Sequence, residues 1–309
     1  MGSPAGTFTI DSLSRLTLGH NYSEKNIIFP SFFSTLILHD SSTVIYASKR
    51  NQTISSSPHY GNLILDDGAV DSCRKEISGD SLIINGRLNL AESSLQLIID
   101  DKTVDVNGDW DGPGQLVLTS GHFLLAGDGN STGKVREGTS LFVYDGTRKQ
   151  RIKIMKYFNL IIDKNGIAHT KANIGELIVT HEAKVKKGTL EFSSEQSRIN
   201  HLIIEDSVTF KSKYQDKYFC HITVAPTGTF LLNYDEEIYI EGNIRCNGNL
   251  IAKKGLIHFT DTLNAQSIHG DGIIQFHKTT IQKNEDTLRI NCKSVLNDTL
   301  FLISGTLEV

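Results

Sequence analysis

The chain has 309 residues, 39% of them hydrophobic, with 35 acidic against 31 basic side chains and a net charge of −4. This balance offers no basic field to nucleic acid and no polybasic patch to a membrane surface. No apolar run approaches the ~18 residues of a spanning helix, so nucleic-acid partners and membrane insertion are not expected. With 26 glycines, five prolines and many runs of Ile, Val, Leu, Thr and Phe, the chain reads as short strands separated by turns. No stretch carries a helical period.

In chain order, residues 1–5 read as linker and residues 6–309 as a single repeat domain. From Tyr46 onward a distinctive order begins: Tyr46, Gln52, Ile54, then Tyr60-x-Asn62-Leu63-x-Leu65-Asp66. It returns as Tyr144, Gln150, Ile152, then Tyr157-x-Asn159-Leu160-x-Ile162-Asp163. The Tyr-to-Gln step is six residues in both copies and Gln-to-Ile is two. Such fixed offsets mark a repeat architecture rather than an isolated active site. A weaker third copy opens at Phe259 and continues as Gln266-x-Ile268, without the following Tyr-x-Asn-Leu.

Between and beyond these copies, candidate strand starts fall at Leu63, Leu82, Leu97, Leu116, Leu141, Leu160, Leu177, Leu202 and Ile222. Within each run apolar residues alternate, as in Leu82-x-Ile84, placing one set inward. The segments from His201 and His221 align over ten residues. Coils of about 15–25 residues stacked on a continuous interior describe a right-handed parallel β-solenoid, an all-β fold. In such a stack Asn and Gln form ladders and aromatics pile up at corners. The repeat positions Tyr46, Gln52, Ile54, Tyr60, Asn62, Leu63, Tyr144, Gln150, Ile152, Tyr157, Asn159 and Leu160 are therefore expected to be scaffold.

Several constellations carry possible chemistry. Asp105-x-Asn107-x-Asp109-x-Asp111-Gly112 alternates oxygen ligands as a calcium loop does, but lacks the Glu of an EF-hand at its twelfth position. These four are weak metal candidates, and no other cofactor is implied. Gly127–Lys134 imitates a phosphate loop with the wrong glycine spacing and Val135 where Ser/Thr belongs. Asp66-Asp67 and Asp100-Asp101 sit at strand ends, where acidic residues form turns, yet Asp100-Asp101, Asn107-Gly108-Asp109, Gly121-His122 and Arg151-x-Lys153 also supply parts of a polysaccharide-cleaving set. The first two are in inverted order relative to the polygalacturonases they resemble, and Phe123 replaces a glycine. Cys73, Cys220, Cys246 and Cys292 have no metal-site spacing. Asp-(Ser/Thr)-aliphatic triplets recur six times, from Asp11-Ser12-Leu13 to Asp298-Thr299-Leu300. They are ordinary turn formers before strands.

The run Ser42-Thr43-Val44-Ile45-Tyr46, Gln52-Thr53-Ile54, Tyr60-Gly61-Asn62-Leu63, followed by Gly108-Asp109-Trp110-Asp111-Gly112, resembles the repeat region of very large secreted and surface-anchored proteins of Bacteroidetes-type bacteria. The likeness covers residues 36–165 best, with Asp109 where that pattern has Asn. The resemblance implies a non-catalytic stalk or adhesin-like segment at the cell surface or secreted. Its partners would be other segments of a larger surface protein, glycans or surfaces. In the same bacterial group the Asp-(Ser/Thr) triplets resemble an O-glycosylation signal. The alternative reading is a carbohydrate-active β-helix, either a hydrolase or lyase or a glycan-binding module.

Overall fold

The computed structural model describes residues 6–19, 28–30, 32–67, 73–170, 176–193, 196–210, 216–260 and 264–309. The linker expected at 1–5 lies outside these, as does the triplet at 261–263. The described residues are all β-strand and turn, without helix. They pack as two compact units, residues 1–146 and 147–309. Each unit is a stack of parallel strands, the β-solenoid expected.

In the first unit each coil crosses three sides. One sheet stacks Arg15–Leu18, Thr43–Tyr46, Asn62–Leu65, Leu88–Leu90 and Trp110–Asp111. A second stacks Gln52–Ile54, Arg74–Ile77, Gln96–Ile99, Gln115–Leu118 and Val135–Arg136. A third stacks Ser81–Ile84, Thr103–Val106, His122–Leu125 and Leu141–Tyr144. Period-two alternation sends Leu82, Ile84, Val104, Val106, Phe123 and Leu125 fully inward. Ile83, Asp105 and Leu124 face out between them. Trp110 rests on Phe123 at 5.4 Å, and Phe123 on Phe142 at 4.9 Å, so aromatic rings form a column through the core. Close stacking also dictates glycine at corners. Gly112 has φ +92°, and a Cβ there would stand 2.1 Å from the Leu90 carbonyl oxygen.

The second unit winds the same way, but several strands run through the corners without a break. Lys156–Thr170 pairs with Glu176–Phe192 in four segments separated by three register shifts. Leu202 and Ile222 are in register on adjacent strands, Gln196–Ile204 and Lys217–Val224. Inside, Phe192 stacks on Phe210 at 5.2 Å, and Phe210 meets Phe230 edge to face at 5.3 Å.

Paired positions stand from 18 residues apart, at Gln150 and Ala168, to 28, at Arg15 and Thr43. Among the predicted strand starts, Leu97 to Leu116 is one true coil. By contrast, Leu63, Leu82 and Leu97 sit on three different sheets. The shortest sequence gap therefore counts sides of one coil rather than coils.

Candidate functional site

The repeated motif is one complete coil. It leaves the first sheet at Tyr46, crosses the second at Gln52 and Ile54, and reaches the third at Tyr60, which bridges to Ile84. It then returns to the first sheet, where Asn62 and Leu63 register against Thr43 and Val44. Tyr46, Ile54, Tyr60 and Leu63 are completely buried and Gln52 nearly so. Their polar atoms satisfy one another. The Tyr60 hydroxyl donates to the Ser55 carbonyl at 2.7 Å, the Tyr46 hydroxyl lies 2.8 Å from that of Tyr60, and the Ser55 amide donates back to Tyr46 at 3.1 Å. Burial raises both phenol pKa values, so the pair stays neutral. Gln52 donates to the Leu18 carbonyl of the preceding coil at 3.0 Å. Asn62 donates to the Ser42 carbonyl at 3.1 Å and accepts from the Arg87 amide at 3.0 Å, tying three coils together.

In the second copy Tyr144, Gln150, Ile152, Tyr157 and Leu160 are buried likewise. The Tyr157 hydroxyl donates to the Lys153 carbonyl at 2.7 Å. Lys153 stands three residues after Gln150, as Ser55 stands three after Gln52. Asn159 differs from Asn62: its Oδ1 lies 2.7 Å from His181 Nδ1. The His181 ring in turn stacks flat on Phe158 at 4.9 Å. The neighbouring coil supplies a side chain there in place of backbone groups. At the third copy, Gln266 donates to the Ile240 carbonyl at 2.9 Å. Ile240 pairs with Phe259 as Leu18 pairs with Tyr46, so the same hydrogen bond recurs.

A further shared element escaped the sequence reading. Lys75, Lys164 and Lys283 are buried and turn their ammonium groups onto these loops. Lys75 donates to the Ser48 carbonyl at 2.9 Å and to Gln52 Oε1 at 2.8 Å. Lys164 donates to the Arg148 carbonyl, and Lys283 to that of Asn264 at 2.7 Å. Arg148 and Asn264 each stand two residues before the motif Gln. The equivalent carbonyl in the first copy, at Arg50, accepts from Cys73 Sγ at 2.9 Å. The available signal was phase: Lys75 occupies the inward beat of Arg74–Ile77, two residues before Ile77.

The oxygen-rich loop is spread around a corner. Asp105 faces outward on Thr103–Val106, where burial raises its pKa. Asp109 accepts the Asp128 amide at 2.7 Å, and Asp111, on another sheet, pairs with Arg87. Asn107 lies between, its amide donating to the Ile84 carbonyl. The carboxylate doublets are occupied locally: Ser94 donates to Asp67 at 2.8 Å, and Ser120 to Asp101. His122 is exposed on the third sheet, and Arg151 and Lys153 belong to the second unit. Backbone amides of Gly127, Asn130, Ser131 and Gly133 donate to the coil before them, at Gly108, Trp110 and Gly112. They form ordinary solenoid backbone rather than a phosphate cradle. His201 and His221 are in register with rings 6.2 Å apart, edge to face. Burial pushes the Cys246 thiol pKa up to about 11.

An outer ladder in the second unit was also missed. The Arg198 guanidinium covers Tyr218 at 4.6 Å, Tyr218 stacks on Tyr239 at 4.8 Å, and Tyr239 on His258 at 4.5 Å. Asp216, Glu237 and Glu241 bond its polar edges. Tyr218 and Tyr239 are each covered on both faces, so the ladder stiffens the wall.

Behind this wall Glu236 is buried. Its Oε2 accepts the Tyr234 amide at 3.0 Å, while Oε1 has no hydrogen-bond partner among the described residues. Burial raises its pKa above the usual 4.5. As pH rises through 4.5 the unfolded chain releases this proton first and the folded chain keeps it. Stability from this group is therefore full below that pH and falls as pH rises toward the folded value. Urea midpoints measured from pH 4 to 7 should show a negative slope that Glu236→Gln flattens. An identical slope in the variant would assign it to other carboxylates.

No protein-family model, curated protein or solved structure matches the chain.

Proposed function

We propose that this chain is a non-catalytic structural or adhesive segment of a bacterial secreted or cell-surface protein, acting as a stiff spacer or binding surface. The observation that supports the reading is where the repeated side chains are spent. Tyr46, Tyr60 and Tyr157 aim inward and tie their own coil together, while Gln52 and Gln266 bind one coil to the next. Repetition thus maintains the wall, and the chemistry-bearing residues scattered along it answer to local turns. Glycans, surfaces or further segments of a larger protein would meet the outward residues.

The test is to incubate the purified chain, with and without calcium, against acidic and neutral polysaccharides. Binding without new reducing or unsaturated ends is the expected result. Product that disappears in Asp100→Ala or Asp109→Ala would overturn the reading in favour of a carbohydrate-active enzyme.

A further inference from the structure

Two thiols of the second unit stand two coils apart with a glycine between them. Ile244 and Arg245 pair with Ile268 and His269, which pair in turn with Ile290 and Asn291. One residue further along each strand come Cys246, Gly270 and Cys292. Cys246 follows buried Ile244 on the inward beat of its strand, and Cys292 falls on the beat of buried Leu288. Gly270 puts no side chain between them. Its φ is +128°, and a Cβ there would stand 2.0 Å from the Cys246 carbonyl oxygen, so glycine is required. The thiols sense each other across this gap: burial is the main cause of the raised Cys246 pKa, and Cys292 adds to it. Cys246 Sγ otherwise meets the Gly248 carbonyl at 3.5 Å and that of Ile273 at 3.9 Å, weak contacts for a thiol.

Spacing decides what can join the pair. With neighbouring strands ~4.8 Å apart, the Cα atoms of Cys246 and Cys292 are separated by about 9.6 Å. A disulfide spans at most ~6.8 Å between Cα atoms, with its sulfurs ~2.05 Å apart. It falls short. A metal ion bound at ~2.3 Å from each thiolate holds the sulfurs about 4.6 Å apart and extends that reach to roughly 9.4 Å. One bridging ion therefore fits where a disulfide does not. Among the described residues no group of three or more His, Cys, Asp or Glu side chains is placed to hold a metal. Zinc, which takes four ligands, is poorly served by such a pair, whereas a soft ion selects thiolates. We propose that Cys246 and Cys292 form a two-coordinate site for a soft metal ion, cuprous copper, which clamps the coils together across Gly270. On binding, each thiol releases its proton to solvent and each sulfur gives a lone pair to the ion. No oxidation state changes, and the centre carries a single negative charge.

The test titrates the reduced full chain with cuprous ion, in the absence of oxygen and against a cuprous chelator. One ion per chain should bind with a sulfur-to-copper absorption in the ultraviolet, and X-ray absorption should find two sulfur neighbours. Affinity should rise with pH, because binding displaces protons. Cys292→Ala and Cys246→Ser should each lose the absorption and the chelator-resistant ion, with far-ultraviolet dichroism matching the wild type before copper is added. If Cys246→Ser does not fold, Cys292→Ala decides alone. Cys220→Ala, which removes a thiol facing Glu241 on the outer wall, should bind as the wild type does. Binding that survives Cys292→Ala, or that falls equally in Cys220→Ala, would make the copper an adventitious ion only and overturn the proposal. So would a Cys246–Cys292 disulfide after mild oxidation, since the thiols would then stand closer than two coils allow.

Discussion

Replacing Tyr60 by alanine is expected to destabilise the first unit by about 3–5 kcal/mol, the range for deleting a large buried aromatic from a core that cannot collapse around the gap. The ring is wholly buried, packed edge-on against Phe29 at 6.1 Å and Tyr46 at 6.4 Å. Tyr60→Phe separates the two contributions. It keeps the ring but leaves the Ser55 carbonyl without its donor and the Tyr46 hydroxyl without its neighbour, a cost of about 1–3 kcal/mol. Trp110, the chain's single tryptophan, lies in the first unit, so its fluorescence during urea unfolding reads that unit alone. Equal losses in the two variants would show that the hydroxyl network matters and the packing does not. No loss in either would remove Tyr60 from the scaffold.

Lys75→Met is expected to lose about 1–3 kcal/mol, and Lys75→Ala about 2–5, although both remove a buried charge. The ammonium is completely buried and serves the Ser48 carbonyl and Gln52 Oε1, two acceptors that methionine cannot reach by hydrogen bond. Burial lowers the pKa of Lys75 below 10.5. Through the window between its folded value and 10.5 the unfolded chain carries more protons, so the wild type gains stability as pH rises there. The methionine variant lacks that gain. The gap between wild type and Lys75→Met should therefore widen toward alkaline pH in paired denaturation curves. A gap that stays constant or closes would mean that the amine is not the group holding the loop.

The solenoid was legible because its signals are local and periodic. Alternation in Leu82-x-Ile84 and register between His201 and His221 both follow from stacking identical coils. The repeat residues were legible as a set, since their offsets are fixed by the length of one side. Their partners were not. Lys75, Lys164 and Lys283 stand at different distances beyond the motif Gln, because Lys75 is in register with Gln52 whereas Lys164 and Lys283 precede Ala168 and Leu288, the positions paired with Gln150 and Gln266. The ladder Arg198, Tyr218, Tyr239 and His258 was hidden for a related reason. Its members are 20, 21 and 19 residues apart, a near-period visible only once pairing is known. Asp105 and Asp111 show the converse error. Close in sequence, they read as one loop, but a corner places them on separate sheets.

Parallel pairing of successive coils also fixes how either unit should respond to mechanical load. Hydrogen bonds between coils point along the stacking direction, so tension on an end strand opens them in sequence, as a zipper, instead of shearing a whole set at once. Each coil freed is about 20 residues long and would lengthen the tether by roughly 60–80 Å at ~3.5 Å per residue. Extension would then proceed in coil-sized steps at modest force, with the corners clamped by Lys75, Lys164 and Lys283 as the points of greatest resistance. Such a stack yields gradually and rewinds from whatever coils remain.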